Sequence, residues 1–138
     1  PDIPIEKLQR IRALIDSHVL NALVTGCESL IPGIRLPDPD DRHVVAVAIR
    51  SGAGAIVTTN PGDFPVDCLE PFGLEAIHPN DFICNLADLD PVAVCKAARE
   101  HRVSLRDPPK SVREYLDMLI RVGLTITVSF LREHSEDI

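Results

Sequence analysis

Tryptophan is absent from the 138 residues, and aromatic residues make up only 4% of them. A packed core must therefore be built from Leu, Ile, Val and Ala. No apolar run approaches the roughly 20 residues that a membrane-spanning helix needs. The opening stretch lacks the basic, then apolar, then small-residue series of a secretory leader. These absences predict a cytoplasmic protein with no membrane partner. Cysteine is also scarce. Cys27, Cys68, Cys84 and Cys95 are separated by 41, 16 and 11 residues, and C-x-x-C does not occur. That spacing argues against a structural zinc site or a disulfide framework and leaves buried or idle thiols as the expectation.

Positive charge is sparse in the first two thirds of the chain. Residues 1–90 hold 6 Lys and Arg against 14 Asp and Glu, whereas residues 91–138 hold 8 against 7, for a net charge of −7. Such an acidic first part argues against nucleic-acid binding over the whole surface. It leaves room for a local basic patch, and it suits carboxylates gathered for a metal ion.

With 45% hydrophobic and 25% charged residues the chain can fold. Its length suits one domain, or one domain with an appendage. Helical spacing of Ile5, Leu8, Ile11, Leu14 and Ile15 predicts an amphipathic helix over 4–18. A short strand is expected at 21–25, then a loop at Pro32-Gly33. Asp38 as N-cap, Pro39 at the first position and Gly52 past the end predict a buried helix over 39–51. Residues 55–59 and 73–77 read as strands, with a helical turn between them. Asn80 is the expected cap of a helix over 80–88. This alternation predicts an α/β fold with a largely parallel sheet of about three strands, few for a sheet covered on both faces. From Asp90 onward everything reads as helix. Asp90 caps one helix, Ser111-x-x-Glu114 is a capping box opening a second, and a third follows Gly123. The expected division is an incomplete α/β domain over 1–84 and an all-helical extension over 85–138.

The chemistry concentrates in LPDPDDRHVVAVAI and AIVTTNPGDFP. Asp38, Asp40 and Asp41 crowd the start of a helix, and the following strand runs into Thr58, Thr59, Asn60 and then Asp63. In a parallel α/β sheet, sites form beyond the carboxyl ends of strands. Crowded carboxylates repel one another and attract a hard cation such as Mg²⁺ or Mn²⁺. Such an ion activates water for phosphodiester hydrolysis. The same residues also make an ordinary helix start and an ordinary turn, and spacing alone favours that plainer reading.

Residues 36–83 resemble the C-terminal portion of PIN domains, the family that includes toxins of bacterial toxin–antitoxin pairs. The resemblance rests on Asp41 opening a helix seventeen residues before Thr58, on Asp38 in a D-P-x-D form, on Thr58-Thr59-Asn60 and on Asp63-Phe64. It implies a Mg²⁺- or Mn²⁺-dependent endoribonuclease, with Asp38, Asp41 and Asp63 as metal ligands. Asp41, Asp63 and Asn60 would be its catalytic residues, RNA its substrate and an antitoxin-like protein its partner. PIN domains also have a first strand ending in Asp and an acid on an early helix. Neither is found here, and Glu6 lies too near the start to serve. The resemblance therefore implies an impaired or incomplete nuclease, with three readings open. The chain is a fragment of a longer nuclease, or a homodimer or strand-supplying chain completes the sheet, or the fold persists as a non-catalytic module for RNA or protein binding.

The five histidines show no ligand spacing, and His43 is expected on an outer helix face. Lys96, Arg99, Arg102 and Arg106 recur along one helix as a basic ridge. Without interleaved aromatics for base stacking, a solvated face is the better reading than a phosphate-binding one.

Overall fold

The computed structural model describes residues 2–138. Its helices and strands follow the sequence signals closely, with three corrections. The chain divides into two compact units: the chain up to Ile56 together with Asp63–Glu75, and Val57–Gly62 together with Ala76–Ile138.

In the first unit, α1 (Ile5–His18) forms where the periodicity places it, yet none of its residues is buried. Ile5 is 70% exposed, and Leu8, Ile11, Leu14 and Ile15 are between 43% and 50% exposed. The expected strand at 21–25 does not form. Asn21 instead takes a left-handed conformation with φ 60°, which Asn tolerates better than most residues and which turns the chain. Two β-branched residues, Val24 and Thr25, cannot make a strand without a neighbour to pair with. Pro32-Gly33 closes a short 3₁₀ helix, Glu28–Gly33, rather than an open loop.

The Asp-rich helix start is built in two steps. Pro39–Asp41 is a 3₁₀ turn capped by Asp38, and α2 (Arg42–Ser51) continues from it. Gly52 ends α2 at φ 73°, the left-handed cap that glycine adopts at no steric cost. Val45, Ala46 and Ala48 are buried along α2, which packs on the Glu28–Gly33 turn.

Two strands form where three were expected. β1 (Ala55–Val57) and β2 (Glu75–Ile77) pair in parallel. The Glu75 N–H donates to the Gly54 carbonyl at 3.2 Å and the Thr58 N–H to the Ile77 carbonyl at 2.9 Å. Between them, α3 (Val66–Leu69) supplies the predicted helical turn and buries Leu69 completely.

The second unit is helical beyond β2, with α4 (Pro79–Leu89), α5 (Pro91–Ser104), α6 (Val112–Arg121) and α7 (Thr125–Glu133). α4 packs against α5 and α7, and α6 packs against α7. Leu116, Leu119, Val128, Leu131 and Ile138 close a core with Cys95, Ala98 and Tyr115. All four cysteines are free thiols. Burial pushes the Cys95 and Cys84 thiols up, with nearby carboxylates adding to it, so both are weak nucleophiles.

The caps at Asp90 and Ser111 form as predicted. Asp90 accepts from the Ala93 N–H at 3.0 Å. Ser111 and Glu114 make both bonds of the capping box, each at 3.2 Å. Ser111→Ala should lower stability by about 1 kcal/mol, read as an earlier urea midpoint. The bonds from Ser111 hold the Glu114 carboxyl below its usual range. Its folded-state value is thus depressed, so its contribution is present above the ordinary Glu value and disappears as pH falls through the lowered one.

The predicted cap at Asn80 is corrected. His78 caps α4, its Nδ1 accepting from the Asn80 N–H at 3.1 Å. The Asn80 side chain turns inward, where the residue is only 6% exposed. Its Oδ1 accepts from the Thr127 N–H at 3.0 Å and from the Thr127 hydroxyl at 2.9 Å. Its Nδ2 donates to the Gly123 carbonyl at 3.1 Å. The first N–H groups of any α-helix lack partners inside the helix, and Leu124, at the N-cap of α7, offers no side-chain bond. Asn80 therefore caps α7 from another helix.

Candidate active site

Each acidic residue singled out above has a defined place. Asp38 is exposed, and its Oδ1 accepts from the Asp40 N–H at 2.9 Å. That bond orders the turn leading into α2. One turn on, Asp41 is half-buried, and its N–H donates to the Asp38 carbonyl at 3.2 Å. Although Asp41 stands at the N-cap of α2, its carboxylate makes no capping bond. It is thus a half-buried carboxylate at the start of a helix. Asp63 is exposed at the end of the 3₁₀ turn Pro61–Asp63. Asp38, Asp41 and Asp63 belong to the first unit.

Asn60 belongs to the second unit and is exposed. Its N–H donates to the Thr58 hydroxyl at 3.1 Å. Thr58 therefore has a local task, holding the turn that leaves β1. His43 is exposed, with Nδ1 2.7 Å from the Asp40 carbonyl, which fits the outer-face reading and leaves it no part in the acidic group.

Asp38 and Asp41 are brought together across a single turn. Among the described residues, however, no three His, Cys, Asp or Glu side chains converge closely enough to hold a metal ion. The carboxylates of this chain therefore do not by themselves fit a divalent cation as a ligand set.

The basic ridge is also reshaped. Lys96 pairs with Glu100 at 3.8 Å. Arg102 turns inward, donating to the Lys110 carbonyl at 3.0 Å and the Ile138 carbonyl at 3.2 Å. A four-residue phosphate-binding stripe is thus not presented, because one member holds the fold and another is charge-compensated. Among the described residues no helix is long and apolar enough to cross a membrane.

Sequence reading assigned no role to His101 or Tyr115, which lie fourteen positions apart on α5 and α6. The fold brings His101 Nδ1 within 2.9 Å of the Tyr115 hydroxyl. No local spacing signals such a pair.

Comparison with known proteins bears on the helical part first. Residues 79–133 match the family model described as VapC50 C-terminal domain, a span that runs from the start of α4 to the end of α7. A Mycobacterium tuberculosis protein carrying the description "Putative ribonuclease VapC50" is 40% identical over 79 residues, which is 57% of this chain and 47% of that protein. The matched segment thus spans about half the length of the curated relative. No solved structure matches. The chain is thus similar to the VapC50 C-terminal domain over residues 79–133, and over 79 residues to a protein described as a putative ribonuclease.

Proposed function

We propose that this chain contributes one acidic edge and a helical C-terminal region to a PIN-type endoribonuclease, and does not cleave RNA by itself. The observation that carries the reading is the 40% identity to a protein described as a ribonuclease, combined with the half-buried Asp41 at the start of α2. In this reading Asp41, with Asp38 one turn before it and Asp63 after β1, supplies negative charge. A Mg²⁺ or Mn²⁺ ion and RNA phosphate would meet at that edge. The carboxylates of this chain lack the convergence a metal site needs, so further ligands must come from a partner segment or a second chain. The bond from the Asp40 N–H to the Asp38 carboxylate fixes the turn that carries Asp41. By the same family relation, RNA is the proposed substrate and an antitoxin-like protein the proposed partner.

The test joins this chain behind the N-terminal half of the M. tuberculosis relative. The chimera should cleave single-stranded RNA with Mn²⁺, and Asp41→Asn should slow it about a hundredfold or more. The chain alone should leave RNA intact. Cleavage by the chimera that survives Asp41→Asn would remove Asp41 from the site. The lack of a converged ligand set also favours a second reading, a non-catalytic module. It predicts that a folded chimera binds RNA or protein equally well with and without metal and cleaves nothing.

A further inference from the structure

We infer that the helical unit carries a binding site for a small, largely apolar molecule with one hydrogen-bond-accepting or anionic head. A cavity of about 370 Å³ opens among α4, α5, α6 and α7. It is a cleft open to solvent rather than a sealed void, and an apolar cavity of roughly 150 Å³ suffices to take up benzene. The cleft is therefore large enough for a small ligand. Its walls are apolar, with Leu86 of α4, Leu119 of α6 and Leu131 of α7 among them. Room is made on α5 by Ala97 and Ala98, whose side chains stop at Cβ.

Three polar side chains line it. Thr127 lines the cavity, but its N–H and its hydroxyl are both directed to Asn80. His101 and Tyr115 also line it, bonded to each other at 2.9 Å with their rings edge to face. With a neutral imidazole, either tautomer leaves this pair one spare donor. If the Tyr115 hydroxyl donates to Nδ1, the imidazole Nε2–H remains free. If Nδ1–H donates, the phenol O–H remains free. Burial pushes the Tyr115 hydroxyl up and keeps it protonated, while the nearby positive charge of Arg102 acts in the opposite direction. A donor beside a positive field selects an acceptor or an anion, and the rest of the cavity selects hydrocarbon. A few polar groups in an apolar pocket between bundled helices is the usual form of a small-molecule site. Every lining residue falls within the 79–133 segment matched by the family model. None of these residues belongs to the acidic group at Asp38, Asp41 and Asp63, so binding here can be tested apart from RNA cleavage.

Octanoate and 1-octanol, titrated into the full chain by calorimetry, test it. Octanoate should bind saturably. Ala97→Leu fills the cavity from an exposed position and should weaken both probes at least tenfold while leaving the melting temperature nearly unchanged. Tyr115→Phe should weaken octanoate several-fold and octanol less than twofold, a split that a general loss of packing would not produce. Absence of saturable binding, or binding indifferent to Ala97→Leu, overturns the proposal. A concentration-dependent dimer that Ala97→Leu dissolves overturns it as well, and assigns the cavity to a second copy of the chain.

Discussion

Asn80→Ala is expected to destabilise the helical unit by about 3 kcal/mol, because it strands two buried polar groups of Thr127 at once. The Thr127 N–H and hydroxyl lose their shared acceptor, and the Gly123 carbonyl loses its donor. Thr127 is only 4% exposed, so water cannot readily replace Asn80. Asp90→Ala provides the comparison. Asp90 caps α5 from an exposed position, and losing such a cap costs about 1 kcal/mol. Urea unfolding followed by far-ultraviolet circular dichroism separates the two. If Asn80→Ala costs no more than Asp90→Ala, the inter-helix cap is not a principal tie between α4 and α7.

Leu131→Ala should cost a similar amount, about 3 kcal/mol, within the range for a large apolar residue removed from a core. Leu131 is 1% exposed on α7 and packs in the cluster with Leu116, Leu119 and Val128. The cost combines lost burial with the void left behind. Leu14→Ala on α1 removes the same atoms from a residue that is 50% exposed, and should change stability by less than about 0.5 kcal/mol. Equal losses from the two substitutions would mean that the α1 stripe is covered in solution. Leu131 also lies one turn beyond Thr127 on α7, so Asn80→Ala and Leu131→Ala should combine non-additively.

Much of this protein was legible residue by residue. The caps at Asp38, Asp90 and Ser111, the stop at Gly52 and the short strands after α2 and α3 depend on neighbours within a few positions. The chemistry acting there is equally local: a side-chain oxygen meets an N–H two or three residues ahead. The resemblance read from the acidic and turn residues covers 36–83, whereas the family model matches the helical residues 79–133, so the two share only a few positions. Asn80 marks where local reading stopped. Asn at a helix start reads as a cap, and nothing nearby shows that His78 takes that role while Asn80 reaches a helix 47 positions away.

The sequence by itself determined where helices begin and end, that the α/β region is short of strands, and that acidic residues gather at one helix start. Only the tertiary structure decided what those residues meet. It showed that the carboxylates of the described residues do not converge on a metal-binding set, that Arg102 leaves the basic ridge to hold two backbone carbonyls, and that His101 and Tyr115 share the wall of a cavity. The physical reason is range. Capping and helix propensity act over one turn of chain, whereas ligand sets, buried hydrogen bonds and cavities depend on distances that folding alone sets.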